Sequence, residues 1–395
     1  MTKTLILILL VLLIGVPSAS QASLVGYFTD KTSPVISSDL NVGIPYRGNL
    51  TIHFIIKDND TSVKKVSVYL DDKDVTSDVD FGGGYKKNSY MFDSEKIHDG
   101  KHTLTIIADD SSINKNKAVQ EISFNIDNTA PLLELASGGG VFAQGKTSFL
   151  YFKSSELDVD IDGVFQSKEF RAYPYRGKYR AVLGFSIDDP GNRNYYMKVR
   201  AKDRAGNISD YHYKVYVAKT KFGKMSFFLR PKKIEMLMPD VIRADWKKIE
   251  DEVVKKDPEK YYRGRFIRPA SGRISMAFGL NETINGAESG KHRGLDFANA
   301  AGTKIVASNS GIVRLSEYLP AHGNTVVIDH GQGIFTYYAH QKKLLVTVGE
   351  RVNKGQVIGL MGATGVATGP HLHFAVSLHN LRVDPMQWLN GIVID

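Results

Sequence analysis

Apolar and polar residues alternate along most of this chain, and a period of two predicts β-strands with one buried face. Between residues 25 and 130 the rhythm is carried by Ile52/Phe54/Ile56, Val66/Val68/Leu70, Leu104/Ile106 and Ile122/Phe124/Ile126. Turn chemistry separates them, at Asp80-Phe-Gly-Gly-Gly-Tyr85 and at Asp99-Gly100. Residues 131–218 repeat the scheme, most clearly in Thr147–Phe152, Tyr195–Val199 and Tyr213/Val215/Val217. Ile107–Asn114 parallels Arg200–Asn207, and an alternating strand follows each copy. The offset of 93 residues predicts a duplication.

The period changes at residue 240. Ile242, Trp246, Ile249 and Val253 recur at helical spacing, with Asp240 placed to cap the N-terminus. One amphipathic helix over 240–255, packed on a neighbouring domain, is expected. From about 263 the chain is glycine-rich and strand-like again. Candidate strands are Gly311–Leu315, Asn324–Ile328, Ile334–Tyr338, Gln356–Leu360 and Leu372–Val376. Asp127-Asn-Thr-Ala-Pro131 resembles the junction between bacterial immunoglobulin-like repeats, and about 100 residues is the length of one such sandwich. That resemblance covers most of 25–218. The expected architecture is mainly β: immunoglobulin-like sandwiches at 23–130 and 131–218, a linker with one helix at 219–262, and an antiparallel β domain at 263–395.

The first residues follow neither period. Lys3 precedes an apolar run from Leu5 to Val16, then Pro17, small residues and Ser20-Gln21-Ala22. The run is too short for a membrane span of roughly 20 residues and suits an export signal, expected at 1–22 with cleavage after Ala22. No membrane span is expected after cleavage. Cysteine is absent, which excludes disulfides, thiolate metal ligands and a thiol nucleophile. The formal charge is +9, of which residues 263–395 contribute 13 basic against 8 acidic side chains. For an exported protein a basic surface suits cell-wall polymer or lipid headgroups, and no nucleic-acid partner is expected.

Histidines are concentrated in the last region: seven of the 11 lie between His292 and His379. His371 and His373, two apart on a strand, point to one face. Neutral imidazole is a common zinc ligand, and three protein ligands with one open position describe a catalytic zinc site. His292, Asp296 and one of His371/His373 meet that count. No His-Glu-x-x-His occurs, so a helix-borne zinc site is excluded.

Read together, His292-x-x-x-Asp296, Tyr338-Ala-His340, Gly349-x-x-Val352-x-x-Gly355-Gln-x-Ile358-Gly359 and Thr368-Gly-Pro-His-Leu-His-Phe374 resemble the lysostaphin/LytM-like zinc endopeptidases. Phe278-Gly279 and Val383-Asp384-Pro385 match that family's opening and closing signatures, so the resemblance covers about 265–390. It implies an open antiparallel β fold that hydrolyses the peptide part of bacterial peptidoglycan. It further implies one Zn2+ per chain held by His292, Asp296 and His373, with His340 and His371 as the non-ligand catalytic histidines. His371 would take a proton from water while His340 as a donor would stabilise an oxyanion or protonate the leaving amine, an assignment that the residues alone leave open. His322, His330 and His379 match no catalytic position and are expected at the surface or in turns. Where family members often carry an acidic or amide residue, this chain has Ala375. Asn281, Glu282 and Glu288 lie in a long spacer near the site.

The expected activity is that of an exported zinc endopeptidase, with a Gram-negative periplasm favoured over the extracellular wall. Peptidoglycan peptides are the expected substrate, and a wall or envelope protein engaged by the sandwich domains is a second expected partner. The rival is a non-catalytic wall-binding regulator of other hydrolases. Degenerate members of that kind typically lack one of the five residues that this chain keeps.

Overall fold

The structure is a computed structural model that describes residues 25–82, 85, 87–136, 142–253 and 259–391. The expected export signal lies outside the described residues. Among those described, no helix is long and apolar enough to cross a membrane. Strand predominates, and the chain forms two compact units: residues up to Pro131 with Lys202–Ile208, and Leu132–Ala201 with Ser209 onward.

In the first unit, alternation produces two sheets over one core. Asn49–Lys57 lies between Val35–Ser38 and Lys87–Asp93, with Val79–Gly82 at the far edge. Gly100–Asp110 and Lys117–Ile126 pair in the second sheet, flanked by Val63–Leu70 and two short edge strands. Ile52, Phe54 and Tyr90 from one sheet meet Val68, Leu104, Ile106 and Phe124 from the other. Most outward positions between them are polar, as a sheet with one solvated face favours, with Ile55, Met91 and Val119 as exposed exceptions.

The second unit begins with a seven-stranded path from Leu133–Leu135 to Ile208–Val217. Its halves are not separate sheets. Lys168–Tyr175 pairs through its first residues with Asp160–Phe165 and through Tyr173–Tyr175 with Lys178–Gly184. The path thus folds over a core of Leu150, Phe152, Ile161, Phe170, Met197 and Val217. Ile107–Asn114 and Arg200–Asn207 occupy corresponding places, each running from the end of one long strand into the loop before the last long strand of its region.

This seven-stranded layer is joined to the C-terminal sheet. Phe149 and Val182 pack into the C-terminal core, and Trp388 donates its indole N–H to Thr147 Oγ1 at 2.9 Å. Gly184 lies so close to Val383 that a Cβ would stand 2.6 Å from Val383 Cγ1. Lys146 adds an ion pair to Asp384 at 2.5 Å.

Apart from Asn281–Ile284 and Ala287–Lys291, which join Lys224–Phe227 in a separate three-stranded sheet, strands between Arg273 and Val383 form the expected antiparallel sheet. Its main path runs Arg273–Met276, Leu295–Ala298, His371–Leu378, Ile334–Leu344, Gly323–Gly331, Gly311–Leu319, with Val357–Met361 paired to Ile334–Leu344. One face is filled by Leu295, Phe297, Tyr338, Leu372, Phe374 and Trp388. The other carries the histidines and, further along, the helix Pro239–Val253. That helix starts one residue before Asp240, so Asp240 sits in the first turn rather than at the cap. Its fully buried Ile249 packs with Leu315, Leu319, Val327, Phe335, Tyr337 and Ala375, as the helical stripe requires.

Candidate metal centre and active site

Asp296 and His373 are direct cross-strand neighbours, and His371 faces Ala298 two positions on. The pleat therefore sends Asp296, His371 and His373 to the same side. His292 precedes that strand in a backbone clasp: Gly279 donates to the His292 carbonyl and His292 N–H to the Leu280 carbonyl, both at 2.8 Å. This contact needs the left-handed backbone of Gly279 (φ 84°). Gly294, between the two ligand candidates, is equally constrained. A Cβ there would lie 2.5 Å from His373 Cε1 and 2.6 Å from its Nε2.

Three electron-pair donors converge as a result. His292 Nε2, His373 Nδ1 and Asp296 Oδ1 are mutually 2.9–3.1 Å apart; His292 and Asp296 are buried and His373 is partly exposed. A divalent cation satisfies such a set at once, so the residues present fit the zinc ion that the sequence implies. His340 and His371 border the cluster. Their rings are 4.8 Å apart, and His371 Nε2 is 3.6 Å from Asp296 Oδ2.

Main-chain carbonyls set three of the four tautomers. Ala277, Thr364 and Gly369 accept from Nδ1 of His292, His340 and His371 at 2.8–2.9 Å. Each Nε2 is thereby left as a lone pair turned away from the carbonyl, the outer-shell arrangement that orients a metal-site imidazole. His340 reaches this pose through a left-handed backbone (φ 62°) at an irregularity where its strand pairs with Gly323–Gly331. A non-glycine residue held there costs about 1–3 kcal/mol, a strain that accumulates at functional sites.

The electrostatics follow from burial against charge. Burial raises and the paired imidazoles lower the Asp296 carboxyl, which is held well below the carboxylate range. His292 is desolvated too, but Asp296 outweighs that and lifts it above the ordinary histidine value. His373 is driven down by burial to about 4 despite Asp296. His340 falls well below its usual range through burial and then through His371 and His373. Neutral imidazoles beside an ionised carboxylate are the forms that bind a metal.

The cluster opens into a cleft of about 530 Å³. One wall comes from Met225, Phe227, Leu229, Ile242 and Trp246, upstream of the histidine motifs. Glu282, raised by burial and by Asp296, also lines it. Of the three unassigned histidines, His379 does lie in a turn, with its backbone left-handed. His330 is instead fully buried, held by Ser310 O and Thr336 Oγ1 at 2.7 Å each. His322 lines the cleft, its Nδ1 2.9 Å from Asp245 Oδ2. Sequence reasoning passed over His322 and Asp245, although an aspartate inside the apolar stripe of a helix was a visible signal. Ala375 packs under Ile249, where a charged side chain would be buried.

The sequence profile of peptidase family M23 matches residues 290–385. Peptidoglycan DD-endopeptidase ShyA of Vibrio cholerae is 44% identical over 96 residues, 24% of this chain and 22% of that protein. DD-carboxypeptidase/endopeptidase Mpg of Neisseria gonorrhoeae is 38% identical over 95 residues, 24% of this chain and 22% of that protein. The chain spans about a fifth of the length of these relatives. The catalytic domain of lysostaphin from Staphylococcus simulans is 31% identical, covering 30% of this chain and 93% of that domain, with a TM-score of 0.28.

Proposed function

We propose, from a peptidase family M23 domain at residues 290–385 as the premise, that this chain is a zinc-dependent endopeptidase of the bacterial envelope. Its substrates are the peptide cross-links or stem peptides of peptidoglycan, the polymer named in the Vibrio cholerae relative that matches this region. One observation carries the reading: two imidazoles and one carboxylate within 3.1 Å of each other, with two further imidazoles facing the same space. His292, Asp296 and His373 would hold the ion. Zinc there would lower the pKa of a bound water to about 7 and polarise the scissile carbonyl.

His371 accepts a proton at Nε2 as the water oxygen bonds to the carbonyl carbon, and Asp296 Oδ2 favours the imidazolium so formed. The same ring returns that proton to the amide nitrogen as the C–N bond breaks, leaving a carboxyl group and an amine. His340, with Nδ1–H committed to Thr364, accepts the second hydrogen of the water and orients it. Its fixed tautomer favours this acceptor role over the donor role expected from the sequence. The division into an export signal at 1–22, sandwiches at 23–130 and 131–218, a linker at 219–262 and a catalytic domain at 263–395 belongs to the same proposal. So do a periplasmic location and a role for the sandwiches in positioning the cleft on the wall.

Zinc content and muropeptide release, compared between wild type and His371→Ala, test the reading. Stoichiometric zinc in both proteins, with release reduced by at least about 10²-fold in the variant, is the expected result. Wild type that holds no zinc and releases nothing would leave the non-catalytic regulator in its place.

A further inference from the structure

The cleft contains a histidine that neither the metal centre nor the proposed proton transfers use. His322 Nδ1 lies 2.9 Å from Oδ2 of Asp245, a residue only 1% exposed. The same oxygen accepts the backbone N–H of Ala321 at 2.9 Å and of His322 at 3.2 Å. Three donors on one buried carboxylate oxygen fix the ring and its tautomer from beneath. Trp246 then meets the ring edge-on, with centroids 4.9 Å apart. Asp245 and Trp246 come from the helix Pro239–Val253, outside the region matched by the family profile. Both His322 and Trp246 line the cleft that holds the five central histidine and aspartate side chains, and His322 is near enough to disfavour charge on His373. Among the described residues no hydrogen bond from Nε2 to a protein group is recorded. With Nδ1 held by Asp245, Nε2 is the ring nitrogen left for a ligand in the cleft.

We propose that His322 is a substrate-positioning residue: its Nε2 accepts a hydrogen bond from one backbone N–H of the peptide in the cleft. Asp245 holds the tautomer, and Trp246 supplies the adjoining apolar wall. This rests on the cleft being a peptide site. The helix is thereby part of the recognition machinery as well as a packing element. A peptide N–H is the fitting partner because Nε2 is a lone pair beside an aromatic wall, suited to an extended chain with small side chains.

The test uses full-length zinc-loaded protein and a cross-linked stem-peptide dimer whose backbone amides are N-methylated one at a time. At one position, methylation should cost wild type about tenfold in kcat/KM, mainly through KM, the loss of one hydrogen bond. The same methylation should cost His322→Ala less than about twofold, with His322→Gln, which keeps an acceptor, in between. An alanine variant that keeps the wild-type sensitivity at every amide overturns the proposal. So does a uniform fall in kcat across the series, which would mean that His322 acts only through its carbonyl contact with the His340 N–H. Binding of the same dimers to His371→Ala, with and without His322→Ala, repeats the comparison without turnover. If wild type cleaves nothing yet the binding pattern holds, the endopeptidase reading fails and this one stands.

Discussion

Gly294 shows how tightly the centre is constrained at the scale of one atom. A methyl group there would overlap the His373 ring and stand 2.8 Å from the Phe374 carbonyl. The backbone of two hydrogen-bonded strands cannot yield, so the imidazole must turn. Gly294→Ala is expected to weaken zinc binding by about 10–100-fold, the usual effect of disturbing a ligand's surroundings, with the fold retained. Chelator competition, with circular dichroism as the fold control, measures it. His330 supports a prediction about pH. Burial drives its pKa down to about 4, so the unfolded chain, with an ordinary histidine value of about 6.5, binds the proton first. Stability from this group is therefore complete above pH 6.5 and is lost as pH falls toward 4, by about 3 kcal/mol over the window. The His330 ring resonances should stay in the neutral form at pH 5; titration near 6.5 would refute this.

At the scale of elements, the helix Pro239–Val253 has two jobs on one face. Ile249 is buried against the sheet while Trp246, one turn earlier, borders the cleft. Ile249→Ala removes a fully buried side chain and should cost about 2–4 kcal/mol, read as a lower unfolding midpoint of the C-terminal domain. The helix and most strands of the sheet were legible because each has a clean period. The metal residues were legible for a related reason: His371 and His373 share a face by alternation. Which of the two meets Asp296 was not, because cross-strand register is a tertiary property and only the pairing of Asp296 with His373 decides it. His330 was misread for the same cause. Its strand, Gly323–Gly331, is buried on both faces beyond Asn324, so alternation carried no sign of which polar residues go inside. Its neutral ring is accommodated by Ser310 and Thr336, partners distant from the motif. The seven-stranded path was also hidden, since nothing local announces that Lys168–Tyr175 pairs on both sides.

For the molecule as a whole, sequence period suggests a cut near residue 218, yet the core continues across it. Phe149 and Val182 pack with the C-terminal cluster, and Thr147, Lys146 and Gly184 each touch the segment 381–388. Removing 25–131 should therefore leave hydrolysis of a soluble peptide within about twofold of the full chain. Removing 25–218 should uncover the apolar surface around Trp388 and lower the thermal midpoint of the remainder by several degrees, since about 1 kcal/mol shifts a midsize domain by 2–4 °C. Differential scanning calorimetry of the two truncations, alongside an activity assay, separates these outcomes. The chain has only two tryptophans. One is sealed where the two β layers meet and the other stands at the mouth of the cleft, so nature has installed two native fluorophores at the two places where this protein has something to report. Replacing either by phenylalanine leaves an intrinsic optical sensor, one for separation of the layers and one for arrival of a ligand, with no dye attached.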